Sequence, residues 1–298
     1  MKCIYVNISN FTTTITFFET PMKQILNGNH RLILGIPLFF LAACSTNKYA
    51  ATNKVYKEQA KVFGNTLKEM PPLSQNVEMI APDQQFFIGS VNFGIRKPNF
   101  VIIHHTAQTS TDQTIKTFTL KSTQTSAHYV VGRDGKVVHM VNDYLRANHA
   151  GVAKWGNETD LNSCSLGIEL DNNGDEPYSD AQINSLISLL TTLKKKYNIP
   201  VQGFIGHSDI APKRKIDPNK FPWKKLAEQG FGLWYDDILQ IPPPEFDAAV
   251  ALRIIGYDIS NMPAAIIAFK RHFVQTDITP VLTLSDNMIL FNLYRKYM

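Results

Sequence analysis

A chain of 298 residues, 44% hydrophobic and 18% charged, has room for one large domain and a small one and is too apolar to be disordered throughout. Its formal net charge of +5 would suit an anionic polymer, but the Lys and Arg residues are scattered rather than blocked, which argues against nucleic-acid binding. Cysteines at positions 3, 44 and 164 are too few for a disulfide framework.

Lys23 and Arg31 precede the apolar run Leu32 to Phe40, which closes on Leu41-Ala42-Ala43-Cys44. That is the layout of a secretory signal peptide, and the run is shorter than the ~20 residues a spanning helix needs. Leu-Ala-Ala-Cys resembles the lipobox of bacterial lipoproteins. The resemblance implies removal of residues 1–43, a lipid anchor on Cys44 and, with Ser45 following, the periplasmic face of a Gram-negative outer membrane. Met22 offers an alternative start to Met1. Residues 44–75 are polar and read as a tether containing one short helix.

Residues 76–240 carry the patterned part of the chain. Val101-Ile102-Ile103 is a β-branched run that leads directly into His104-His105-Thr106, so two histidines stand at a strand exit where packing does not call for them. Ser110 to Gln113 has the form of a capping box, opening a helix with Ile115 and Phe118 on one face. His128 to Val131 and Lys136 to Val141 flank Arg133-Asp134-Gly135, a hairpin signal; His139 reads as a sheet-surface residue. Residues 143–163, with His149-Ala150-Gly151 and Trp155-Gly156, read as a long ordered loop. Cys164 reads as a packed small residue at the start of the next strand, Ser165 to Leu170, which is apolar except for Glu169. A carboxylate in such a strand is costly to bury unless it faces a polar cleft, which makes Glu169 the best general-base candidate. Ser179 and Gln182 cap a helix with Ile183, Leu186, Ile187, Leu190 and Leu193 at helical spacing; Lys194 to Lys196 and Pro200 end it. Val201 to Ile205 reads as a buried strand that delivers the segment from Gly206 to Pro218.

That segment crowds His207, Asp209, Lys213, Arg214, Lys215 and Asp217 into a few residues. Neutral imidazole and carboxylate are good zinc ligands, and three protein ligands leave the fourth tetrahedral position to water. With His104, His207 and Asp217 as ligands, Glu169 is placed to act as the base and Lys215 to face a developing oxyanion. Asp209 reads as a hydrogen-bonding neighbour, because a fourth protein ligand would close the site. The motifs Val101 to Thr106, Ser126-Ala127-His128-Tyr129, His149-Ala150-Gly151, Gly167-Ile168-Glu169, Gly206-His207 through Asp217-Pro218, and Phe221 to Leu226 together resemble the type-2 zinc-dependent N-acetylmuramoyl-L-alanine amidases, related to phage T7 lysozyme and to peptidoglycan recognition proteins. The resemblance spans roughly residues 90–240. It implies an α/β fold with a central mixed sheet flanked by helices, and one Zn2+ per chain on His104, His207 and Asp217. It also implies Glu169 and Lys215 as catalytic groups, and peptidoglycan or muropeptides cut between N-acetylmuramic acid and L-alanine. His105, His128, His149 and Trp155 are the residues it offers as substrate contacts.

After Ile241-Pro242-Pro243-Pro244, residues 241–298 read as a small module of three helices, around 246–255, 263–273 and 285–297. Their apolar faces draw on Val250, Leu252, Ile254, Ile266, Phe269, Ile289, Leu290 and Leu293. It resembles the peptidoglycan-binding module often appended to such amidases, and an inert appendage is the alternative. Two rivals to the whole reading are a non-catalytic peptidoglycan-binding envelope lipoprotein and a zinc peptidase. The first lacks support because every catalytic group is present, and the second because the sequence has no His-Glu-x-x-His. Two histidine ligands further predict loss of metal below about pH 6.5.

Overall fold

The computed structural model describes residues 47–68, 95 and 97–297. The signal peptide, Cys44 and much of the expected tether lie outside the described residues. Within the tether, α1 (Ala50–Thr66) runs 17 residues, longer than the short helix expected, and buries none of them. No helix among the described residues is long and apolar enough to cross a membrane.

The body begins with β1 (Phe100–His105) and α2 (Thr111–Thr119), the latter started by Ser110, whose side chain accepts the Gln113 N–H. The hairpin follows as β2 (Tyr129–Val131) and β3 (Val137–His139). The long loop then runs into a single turn, α3 (Leu161–Cys164), and β4 (Ser165–Leu170). Next comes α4 (Asp180–Tyr197), capped by Ser179 and ended by Asn198 in the left-handed region. β5 (Phe204–Gly206), α5 (His207–Ile210) and α6 (Trp223–Glu228) complete this part. The run from Val201 is strand only from Phe204 onward. Val201–Gly203 turn as a 3-10 helix, with Gly203 so close to the Asn99 carbonyl that a Cβ would meet it at 2.7 Å.

The strand order is β3-β2-β4-β1-β5. β2, β4, β1 and β5 are mutually parallel and β3 is antiparallel to β2, so this is the expected mixed sheet. Alternation along each strand divides two cores. Val101, Ile103, Leu166, Ile168, Leu170 and Phe204 face α4 and α6, where Ile183, Leu186, Leu190, Leu193 and Trp223 cover them. Each of those α4 side chains contributes roughly 1.5–3 kcal/mol by leaving water. Ile102 and Ile205 face the opposite way.

That opposite face is covered by the C-terminal helices α7 (Ala248–Ile255), α8 (Met262–Phe273) and α9 (Leu284–Tyr297), close to where the sequence puts them. Ile102, Ile205, Ile210, Leu252, Phe269, Leu290 and Leu293 share one cluster, so the helices and the sheet close a single core. The face of α7 differs from expectation. Val250 and Ile254, four residues apart and therefore on one side, are exposed, while Ala251, Leu252 and Ile255 turn inward. Lys270 of α8 is fully buried, with its ammonium 2.5 Å from Asp277 and 2.9 Å from Asp286.

Candidate active site

Because β1, β4 and β5 run parallel, their C-terminal ends open at one edge of the sheet, and the sequence candidates converge there. His104 lies opposite Glu169 in the β1–β4 register, and Gly206 pairs with Ile103, which sets His207 beside His104. Asp217 returns to the same point, held by the Ser208 N–H donating to the Asp217 carbonyl at 2.7 Å. His104 Nδ1 is 2.9 Å from His207 Nδ1 and 3.2 Å from Asp217 Oδ2, and His207 Nδ1 is 2.9 Å from the same oxygen. All three side chains are buried.

The protons in this cluster follow from its neighbours. Ser165 Oγ donates to the Leu161 carbonyl and accepts from His149 Nε2 at 3.4 Å, which leaves His149 Nδ1 as an acceptor. His104 Nε2–H therefore donates to His149 Nδ1 at 3.1 Å, and His207 Nε2–H donates to the Ala150 carbonyl at 3.1 Å. Both Nδ1 atoms are left with lone pairs aimed at each other and at a carboxylate oxygen. Three electron-rich atoms at such separations fit a cation, and two imidazoles with one carboxylate match the donors zinc takes. Burial, then repulsion from His207, lowers the His104 pKa to about 4; burial works against ionisation of Asp217 too, yet the two imidazoles beside it hold its carboxyl far below its ordinary range.

Glu169 stands next to this cluster with its Oε2 buried and lacking any hydrogen-bond partner among the described residues. Burial, then the nearby Asp217 charge, pushes its pKa up to about 8, and Lys215 acts in the opposite direction. These groups open onto a cleft of about 500 Å3, lined also by Thr106, Gln108, Asn148, Asn173 and Asn219.

The remaining candidates divide. His105 and His149 line the cleft; His105 Nδ1 accepts the Asn219 N–H, and His149 sits under His104 as described. His128 does not reach the cleft. It is buried with Nδ1 accepting the Gly167 N–H and Nε2 turned to the Leu145 carbonyl, so both nitrogens are taken up by backbone. Trp155 is packed in the core against Tyr257, ring centroids 5.0 Å apart, which is a docking role for an aromatic side chain rather than an exposed one. His139 lies on the sheet surface, stacked on Tyr129. Asp209 is the hydrogen-bonding neighbour expected. Missed in the sequence were Arg214, which donates to the Ala150 and Val152 carbonyls and so fixes the loop that orients His207, and the Ser165–His149 relay. Nothing in the sequence pattern marks a serine in a strand or a carbonyl on a loop as part of a site.

Comparison with known proteins decides the family. The chain is 34% identical over 209 residues to the N-acetylmuramoyl-L-alanine amidase AmiD of Escherichia coli K12, covering 59% of this chain and 75% of that protein. The chain belongs to the N-acetylmuramoyl-L-alanine amidase family. Residues 95–220 of this amidase match the N-acetylmuramoyl-L-alanine amidase family, from just before β1 to just past Asp217. The structure of E. coli AmiD with the substrate anhydro-N-acetylmuramic acid-L-Ala-D-gamma-Glu-L-Lys aligns with a TM-score of 0.60 at 30% identity, over 71% of this chain and 93% of that one. AmpDh3 of Pseudomonas aeruginosa, also solved in complex with anhydromuramic pentapeptide, aligns with a TM-score of 0.62 at 29% identity, over 74% and 99%. Both alignments are too long for the 95–220 stretch alone. The amidase is thus an enzyme with the expected mixed-sheet fold.

Proposed function

We propose that this amidase hydrolyses the amide between N-acetylmuramic acid and L-alanine in peptidoglycan or muropeptides with the help of zinc held by His104, His207 and Asp217. The observation that carries the reading is the pair of imidazole lone pairs meeting one carboxylate oxygen beside the unpartnered Oε2 of Glu169, at the mouth of a polar cleft. Zinc bound there supplies a Lewis acid and lets water ionise near neutral pH. Glu169 takes the proton from the attacking water and returns one to the leaving nitrogen as the carbon–nitrogen bond breaks. A carboxyl held near neutrality is suited to both tasks. Lys215 lines the same cleft and is the group that faces the carbonyl oxygen as it becomes an anion. His105 and His149 form the wall. The muropeptides in the relatives' structures support the substrate class.

In the same reading residues 1–43 are a signal peptide, 44–75 a tether from a lipid on Cys44 in the outer membrane, 76–240 the amidase domain and 241–298 a module that contributes to peptidoglycan contact. The test is mass spectrometry of digested murein fragments. Release of the whole peptide from the sugar supports the amidase assignment, whereas cuts within the peptide would move the assignment to a peptidase. Glu169→Gln should keep zinc, measured by metal analysis, and lower turnover at least ~100-fold, in the range for losing a general base. Undiminished turnover removes Glu169 from the mechanism.

A further inference from the structure

Beyond that reading, one buried cluster joins the C-terminal helices to the turn that presents His207. Asp209, two residues after His207 on α5, is fully buried. Its Oδ2 accepts the Gly206 N–H at 2.7 Å, closing the first turn of α5, and also accepts His272 Nδ1–H at 2.8 Å. Its Oδ1 accepts the Tyr257 hydroxyl at 2.9 Å. Two of its three donors therefore come from beyond residue 240. Burial, with Asp209 alongside, raises the Tyr257 pKa well above that of an ordinary phenol, so the hydroxyl keeps its proton.

We infer that His272 and Tyr257 are positioning residues for His207, acting through Asp209, so that the C-terminal helices set the metal-binding geometry. The inference rests on His207 being a metal ligand. A helix of four residues cannot hold its own orientation, because nucleation costs more than one turn of hydrogen bonds returns. α5 is fixed instead by Asp209 below and by the Ser208–Asp217 bond above. The His272 ring has no other polar partner among the described residues, since its Nε2 is buried and unpartnered, and it lies flat on Trp223 with centroids 4.0 Å apart. The one hydrogen bond its imidazole makes is the one to Asp209. Gln275 adds a second tie, donating to the Phe221 carbonyl at 2.7 Å on the segment that follows Asp217. Partners hydrogen-bonded directly to a metal ligand govern affinity by about 10–100-fold, and His272 and Tyr257 act one bond farther out, so the expected effect lies at or below the low end of that range.

The test uses the full chain, stripped of metal and reloaded. Tyr257→Phe removes one hydroxyl from an otherwise unchanged ring, His272→Phe keeps the stack on Trp223 without the donor, and His272→Asn returns an N–H near the Nδ1 position. Zinc Kd is read by competition with a chromophoric chelator, ligand geometry by the visible spectrum of the cobalt(II) form, and stability by melting the metal-free proteins. Tyr257→Phe and His272→Phe should each weaken zinc binding about 3–10-fold and shift the cobalt bands, with His272→Asn restoring both. Wild-type Kd and spectrum in the two Phe variants, with only the melting temperature lowered, overturn the inference and leave these residues a docking role. If His272→Phe does not fold, Tyr257→Phe decides alone. His207→Ala separates the two levels. If it holds zinc as tightly as the wild type, the metal site itself is misassigned; if it loses zinc while the Phe variants do not, only the present inference falls.

Discussion

His104 shows how environment rewrites the chemistry of a residue type. Two histidine ligands with ordinary pKa values would surrender metal below about pH 6.5. Burial, reinforced by repulsion from His207, instead takes His104 to about 4, so it stays neutral and able to ligate through that range. Chelator competition should accordingly show no contribution from His104 protonation between pH 6.5 and 5, with its effect growing only toward pH 4. The same shift has a cost for the metal-free fold. A histidine lowered from 6.5 to about 4 is protonated in the unfolded chain before the folded one, so acidification across that window favours unfolding. His149, lowered well below 6.5 mainly by burial, adds to it with the same sign. Melting temperature of the metal-free protein should fall as pH drops from 6.5 to 4. Glu169 has the opposite sense. Its carboxyl is raised to about 8, so the folded metal-free chain loses stability as pH rises from about 4.5 to 8. At pH 8 metal-free Glu169→Gln should therefore melt a few degrees higher than the parent, where ~1 kcal/mol corresponds to about 2–4 °C for a body of this size. The identities of these residues were legible in the sequence because histidine pairs and a lone carboxylate in an apolar strand have no packing purpose. The tautomers were not legible, since they depend on the Ala150 carbonyl and on Ser165, which any sequence could supply.

The elements of the body were legible where periodicity and caps agree. Ser110 and Ser179 start α2 and α4 as read, and the Asp134-Gly135 turn joins β2 to β3. The pattern failed at β5, where the stretch Val201 to Ile205 reads as strand throughout but the chain is still turning at Gly203 and the strand begins only at Phe204. It also failed on α7, where residues spaced by two were assigned to one helix face. Strand alternation determines more than burial. In β4 the odd positions face the site, and Gly167 leaves the space that the His149 ring occupies, a Cβ there meeting His149 Cγ at 2.3 Å. Gly167→Ala should displace that ring, break its bond to His104 Nε2, cost about 1–3 kcal/mol by overpacking and weaken zinc binding about tenfold or more. Denaturant melts together with the chelator assay check both effects; an unchanged zinc Kd would show that His149 does not orient His104.

At the scale of the whole molecule, the proline run at 242–244 reads in sequence as a border between two bodies, yet the core crosses it. Ile205, Ile210 and Trp155 on one side pack with Leu252, Tyr257 and Phe269 on the other. A chain ending at residue 240 would present that apolar face to water, and patches of this size drive association. The truncated protein should aggregate or bind a hydrophobic dye strongly, and recovery of a monodisperse, fully active fragment would contradict the shared core. Long-range packing of this sort leaves no local mark, which is why the sequence shows three helices after a proline run and not the sheet face they cover. The ligand spacing has a further result. Under the proposed zinc assignment, an ion gripped at 104 and again at 207 pins together points 103 residues apart in the chain, as a cross-link does. Stripping the ion should therefore do more than silence the enzyme: it should loosen the whole ring of chain between those points, leaving more sites open to proteases, until the metal is returned.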